Sequence, residues 1–318
     1  MNLDHPVLSS LLPVVVLIFI GYLAGRARLV RGESVRDLSN LVFLVLTQAL
    51  LFRTMANAHV EQLDFRPVMQ YFLVASVLFF TMLVVYGGNS RASVMALAGI
   101  FSNTLMIGVP LVGLAYGQAG QVLLFTLISL HALILLSIAT LVLELQVARE
   151  EAAQSGQARS VWRTVGSAVR SAIVHPVPLP ILVGITYSFT GWGLHPVIDK
   201  PLLLLGNAFG PVALVLVGIT LSQTAVGRQW PTALRLSLVK TVVHPALMAA
   251  VGWLLGLRGL QLGVMVLAAA LPIGANVFLF SQRYRKEEEA ITAAVGVSTA
   301  VALVTITVVL ALLPLLPN

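Results

Sequence analysis

The chain has 318 residues, 58% of them hydrophobic and only 10% charged, where a soluble domain carries roughly 25% charged residues. It contains no cysteine, which excludes disulfides and thiolate metal sites. The net charge of +7 would suit a nucleic acid, but the basic residues are distributed as in a membrane protein, and nucleic-acid binding is not expected.

Apolar runs of about 20 residues, the length a hydrocarbon core requires, recur along the chain. They predict an all-α polytopic membrane protein with ten spans near 8–26, 37–56, 68–87, 92–115, 121–143, 176–193, 201–224, 233–255, 261–282 and 289–314. Met1 to Pro6 has no basic leader and no cleavage site ends the first run, so that run is expected to be a retained span. Thr47 and Gln48 fall near the middle of the second span, placed either to line a solute path or to make a packing hydrogen bond. Arg53, near its outer end, reads as an interfacial anchor.

The fourth span carries SNTLMIGVP, Ser102 to Pro110, which sets Asn, Gly and Pro inside an apolar run. His131, in the middle of the fifth span, is a candidate proton carrier or a histidine hydrogen-bonded within the bundle. In the connection at 148–175, Val161, Trp162, Val165, Val169 and Ile173 recur at helical spacing. They predict a short amphipathic helix on the cytoplasmic surface or an ordinary charged linker. Lys240 and His244 share one face of the eighth span. That lysine could attract an anion, brace its neighbours or snorkel toward the cytoplasm. The ninth span is interrupted by LPIGANVF, Leu271 to Phe278.

When the connections are assigned to alternate sides, one side receives 14 basic residues: Arg26, Arg28, Arg31, Arg36, Arg91, Arg149, Arg159, Arg163, Arg170, Arg228, Arg235, Arg283, Arg285 and Lys286. The other receives 4: Arg53, Arg66, Lys200 and Arg258. The richer side is expected to be cytoplasmic and both termini non-cytoplasmic.

The two halves correspond at an offset of about 167 residues, by the positions of Leu12-Pro13 and Leu179-Pro180, Asn40 and Asn207, and Arg91 and Arg258. Five spans in each half, 1–147 and 176–318, require the second to enter the membrane inverted, as in many secondary transporters. The two interruptions fall in corresponding spans. Pro110 and Pro272 break the helical ladder, and Gly108 and Gly274 let the backbone open. Unwound backbone at membrane depth needs protein or a water-filled cavity to satisfy it. The helix N-terminus after each break offers free N–H groups and partial positive charge, which suit a carboxylate. The preceding C-terminus offers carbonyls, which suit a cation. Asn103 and Asn276 lie near the breaks and are expected either to contact solute or to cap the unwound backbone.

The segments NLVFLVLTQALLF, SNTLMIGVPL, LLLLGNAFGPVALVLVGITL and LAAALPIGANVFLFSQRY together resemble the auxin efflux carrier family, in its short bacterial form that includes malonate and malate carriers. The resemblance covers nearly the whole chain. It implies a homodimer in the bacterial inner membrane, with a scaffold of spans 1, 2, 6 and 7. It also implies a transport domain of spans 3–5 and 8–10, whose fourth and ninth helices cross at their prolines, and elevator-like movement of an organic anion. The chain departs from the family in following Asn103 with Thr104 and Leu105 rather than x-Gly, and in placing Gln48 where Pro is common.

No Asp or Glu falls at the centre of a predicted span, so carboxylate-driven ion exchange has no evident site. No HExxH, GxSxG or paired acids point to an enzyme, and neither a cofactor nor a metal is expected. The expectation is a secondary carrier of a small carboxylate or dicarboxylate. The alternative is a sodium- or proton-coupled symporter of similar fold.

Overall fold

The computed structural model describes residues 6–58, 64–155, 178–224 and 227–313. The helix expected over Val161 to Ile173 lies outside them. The described residues are all helical apart from turns, short extended links and one isolated antiparallel bridge between Ser102 and Ile273.

Helix α1 (Pro6–Arg26) is followed by α2 (Gly32–Leu41), which runs through a π-helical turn at Val42–Leu46 into α3 (Thr47–Ala56). Next come α4 (Arg66–Val85), α5 (Ser90–Ile100), a second π turn at Thr104–Gly108, and α6 (Val109–Ser155). The remaining helices are α7 (Pro178–Ser188), α8 (Pro196–Gln223), α9 (Trp230–Leu238), α10 (His244–Leu254), α11 (Gly259–Ala270), α12 (Ala275–Tyr284) and α13 (Glu288–Leu312). A third π turn, Val239–Val243, joins α9 to α10.

Two of the π turns end two residues before a proline, Pro110 and Pro245. Proline has no N–H to give the preceding turn and its ring crowds the carbonyl behind it, so the helix widens there. Gln48 occupies the same place after the first π turn, and side chains meet the need instead. Its Nε2 donates to the Phe43 carbonyl at 2.9 Å, and the Thr47 hydroxyl donates to that of Val42 at 2.8 Å.

The sequence separates a fourth span ending at 115 from a fifth beginning at 121. Helical structure from Val109 to Ser155 covers both and is broken between them by a kink at Gly117, whose backbone is not helical (φ 62°, ψ −156°).

Among the described residues, six helical segments are long and apolar enough to cross a membrane: Glu33–Ala56, Arg66–Val85, Thr104–Glu150, Pro196–Gln223, Gly227–Leu254 and Glu288–Leu312. Helix α4 illustrates the pattern. Met69, Leu73, Val77, Phe80 and Val84 form an exposed apolar stripe, while Tyr71, Ala75, Leu78, Phe79 and Met82 are buried on the opposite side. Apolar residues on both faces define a helix set between protein and lipid.

Helix α1 packs chiefly on α8, and α3 packs on α7 and α8. The α1–α8 contact is backbone against backbone. A Cβ added at Gly21 would lie 2.0 Å from the Val215 carbonyl oxygen, and one at Gly218 would lie 1.9 Å from that of Ile18. Arg53 corrects the expectation of a simple interfacial anchor. Its guanidinium grips Asp199 at the start of α8 with two hydrogen bonds, of 2.7 and 3.0 Å, and so ties α3 to α8. A second group of helices packs around α11, with α10, α6, α13 and α4 against it. Every residue of α11 from Leu262 to Ala270 is buried.

Candidate functional site

The backbone of α5 leaves the helix at Phe101, which is extended (φ −83°, ψ 111°), and that of α11 leaves at Leu271 (φ −58°, ψ 151°). The two opened segments lie antiparallel. The Asn103 N–H donates to the Pro272 carbonyl at 2.8 Å, and the Gly274 N–H donates to the Phe101 carbonyl at 3.0 Å. Polar backbone that would otherwise be stranded among apolar side chains is thereby paired. Gly274 is required for the approach, because a Cβ there would lie 2.9 Å from the Phe101 ring and 3.0 Å from the Ser102 carbonyl oxygen.

Each segment is also held from behind. The Tyr71 hydroxyl, on α4, shares a hydrogen bond of 2.9 Å with the Ser102 hydroxyl. Ser298 of α13 accepts from the Ile273 N–H at 3.0 Å. Lys240 is fully buried and donates from Nζ to the Ala269 carbonyl in the last turn of α11. Its side chain is thus enclosed within the protein, against the end of a helix.

Helical structure resumes at Thr104 and at Ala275. The first N–H groups of each, at Thr104, Leu105, Ala275 and Asn276, precede any intrahelical acceptor. All four residues line one cavity of about 80 Å³, together with Asn103, Ser102, Phe101, His131 and Phe43. Two helix N-termini therefore deliver donors and partial positive charge to one space.

The two asparagines differ in how they are engaged. Asn103 caps its own helix, its Oδ1 accepting from the Met106 N–H at 3.3 Å, which leaves its amide nitrogen for the cavity. Asn276 is half-buried at the second position of α12. Its side-chain amide has no hydrogen-bond partner among the described residues, and the residue lines the cavity. Asn103 caps the helix that follows it, and Asn276 makes no such cap.

His131 joins the cavity wall to the layer behind it. Its ring packs on Phe101 with centroids 4.5 Å apart, and its Nε2 lies 3.5 Å from the Tyr71 hydroxyl. His244 stacks near Tyr71 at 5.4 Å, is wholly buried, and has no hydrogen-bond partner on either ring nitrogen among the described residues.

Other expected residues stand apart from the cavity. Thr47 and Gln48 are occupied with the π-turn carbonyls and do not line it. Gly108 and Pro110 lie beyond the opened backbone, which is at Phe101 to Asn103. Gly108 makes room for Leu271, since a Cβ there would be 2.7 Å from that side chain. Pro110 faces Gly210 of α8, where an added Cβ would lie 3.4 Å from the proline Cβ, an ordinary contact. It also borders a second cavity of about 500 Å³ with Arg53, Gln121 and Asn207. Sequence reasoning missed Tyr71, Ser102 and Phe43. The signal for Tyr71 was present, because a phenol inside an apolar span requires a polar partner.

Described residues that are almost wholly helical, with apolar surfaces on both helix faces and a donor-lined cavity between two opened helices, fit a membrane transporter. Residues 6–310 match the model of the membrane transport protein family, and the chain belongs to this family, that of the auxin efflux carriers. It is 25% identical over 350 residues to auxin efflux carrier component 8 of Arabidopsis thaliana, covering 95% of each chain. It is 26% identical over 306 residues to a Rhizobium meliloti protein named "Putative malonate transporter", covering 93% of this chain and 92% of that one. The uncharacterized transporter YfdV of Escherichia coli is 24% identical over 300 residues, covering 92% of each.

Proposed function

We propose that the chain is a secondary carrier of a small organic anion, a carboxylate or dicarboxylate, bound where the two opened segments meet. The observation that carries this reading is the convergence of two helix N-termini and two asparagine amides, Asn103 and Asn276, on one cavity. Fixed N–H donors and helix dipoles hold a carboxylate without a lysine or arginine in the cavity wall. The name of the Rhizobium meliloti relative favours the same chemical class.

In this reading the chain has ten spans in two inverted halves, 1–147 and 176–318, joined by 148–175, and the fourth and ninth spans are the broken pair that cross. The kink at Gly117 and the bridge at Ser102 and Ile273 support that division. Helices α1, α2–α3, α7 and α8 form the stationary scaffold. The helices grouped around α11 form the body that moves as an elevator. The protein works as a homodimer in the bacterial inner membrane, with both termini on the non-cytoplasmic side.

The test is flux of labelled malonate, malate and indole-type acids in proteoliposomes. Saturable flux that falls in Asn103→Ala and Asn276→Ala is expected. Saturable flux untouched by either substitution overturns the site. His131 on the cavity wall favours a second reading, proton-coupled symport, in which flux follows an imposed pH gradient and loses that dependence in His131→Gln. Flux that follows an imposed sodium gradient would identify sodium-coupled symport instead.

A further inference from the structure

The second cavity, of about 500 Å³, lies in the seam between the two groups of helices. Arg53 and Thr54 of α3 and Asn207 of α8 border it from one group, and Pro110, Gln118 and Gln121 of α6 from the other. It continues the line of the smaller cavity. Phe43 of the first π turn and Met106 of the second border the smaller space. Leu50, about two turns beyond Phe43, and Pro110, about one turn beyond Met106, border the larger one. A solute moving along the seam between α3 and the helix after Asn103 reaches the two in succession.

The polar groups of this wall suit a carboxylate. Arg53 spends Nε and Nη2 on Asp199, while its Nη1 makes no hydrogen bond among the described residues. A guanidinium carries five N–H donors, and the ion pair uses two of them. Asp199 cancels the charge at long range, so recognition here is by directed hydrogen bonds at short range, in the planar geometry that arginine offers a carboxylate. The amides of Gln121, Gln118 and Asn207 add further donors. Among the described residues, no Asp or Glu borders this cavity. A neighbouring cavity of the same volume meets it at Gln118 but is bordered by Asp64, whose negative charge opposes an anion. Of these two equal spaces, an anion is favoured in the one that holds the guanidinium.

We propose that the second cavity is a docking site for the transported carboxylate, which Arg53 and Gln121 hold before it enters the smaller cavity. This rests on the carrier reading above and adds a second site to it. One wall belongs to the scaffold and the other to the moving body. The docking site therefore exists only while those walls face each other, and movement of the body takes it apart.

The chain has no cysteine, so a single introduced thiol reports alone. Leu114 borders the second cavity and Leu260 the one with Asp64, and both are exposed. Full-length Leu114→Cys and Leu260→Cys proteins in lipid nanodiscs are labelled with a neutral maleimide, with and without malonate or malate. The labelling rate of Leu114→Cys is expected to fall about 10-fold at an anion concentration ten times its Kd. That of Leu260→Cys is expected to stay unchanged. Protection is expected to persist when Asn103→Ala and Asn276→Ala are added, because those residues line the smaller cavity. It is expected to be lost when Gln121→Glu is added, which keeps the side chain's shape and sets a carboxylate in the wall. Where Gln121→Glu does not fold, Gln121→Ala is expected to raise the half-protecting concentration by about 10-fold. No protection of Leu114→Cys by either acid, equal protection of Leu260→Cys, protection that disappears with the asparagines, or protection indifferent to Gln121 overturns the proposal. Absence of labelled flux with every organic acid in proteoliposomes sinks the carrier reading instead, while protection still reads the second cavity.

Discussion

The backbone N–H of Asn103 donates to the carbonyl of Pro272 at 2.8 Å, so each opened segment supplies a partner that the other's helix lacks. The two residues come from different halves of the chain, and neither interruption is satisfied alone. A solute bound beside them meets a surface that both halves must hold in place.

The asparagines are expected to separate in their mutational effects. Asn103→Ala removes a helix cap and costs about 1 kcal/mol of stability as well as flux. Asn276→Ala removes an amide that bonds nothing else, so melting temperature stays near wild type while affinity falls. A hydrogen bond to a charged group is worth about 1.5–3 kcal/mol, which predicts a KM raised by roughly 10-fold or more. Thermal melts beside flux saturation curves check the split.

Tyr71→Phe leaves the Ser102 hydroxyl buried without its partner, at a cost of about 1–3 kcal/mol. Adding Ser102→Ala removes the stranded group. The double variant is expected to be no less stable than Tyr71→Phe alone, a coupling that a double-mutant cycle of melting temperatures measures.

Gly218→Ala forces a methyl group into the Ile18 carbonyl and is expected to destabilise the fold by about 2 kcal/mol or more. Gly193→Ala, where an added Cβ meets nothing within 4 Å, is the matched control and is expected to melt near wild type.

Asp64 accepts hydrogen bonds from the Arg66 guanidinium and backbone N–H, which hold its carboxyl down at about 2 from an ordinary 3.8. It also accepts from Gln261 at the start of α11. The shift is downward, so its stabilising effect is complete above about pH 4 and is lost as pH falls toward 2. Melting curves of wild type and Asp64→Asn are expected to differ by a constant amount from pH 5 to 8 and to converge below pH 4.

The helices were legible because hydrophobic run length is a strong signal, and the run near 68–87 is α4 at Arg66–Val85. The interruptions were legible less evenly, one at its proline and the other about two turns before it. Glycine and proline mark where a helix is weak, but not which bond yields. At Leu271 to Gly274 the break coincides with its proline. In the first segment the backbone opens at Phe101 to Asn103, and Pro110 shapes a π turn instead. The link between Arg53 and Asp199, 146 positions apart, has no local sequence signature. Neither has the reach of Lys240 to Ala269, because both depend on which helices become neighbours.

Pro110 against Gly210 is a joint with almost no chemistry on either side. One residue lacks an N–H and the other lacks a side chain, and a Cβ added at Gly210 would only come into ordinary van der Waals contact with the proline, at 3.4 Å. Displacing such surfaces strands no donor or acceptor and disengages no interlocked side chain. The contact thus has the properties of a low-friction bearing, whereas the glycine seam between α1 and α8 is locked by overlapping backbones. The molecule places its smooth joint beside the second cavity, bordered by Arg53, Gln121 and Asn207, and its locked one between α1 and α8.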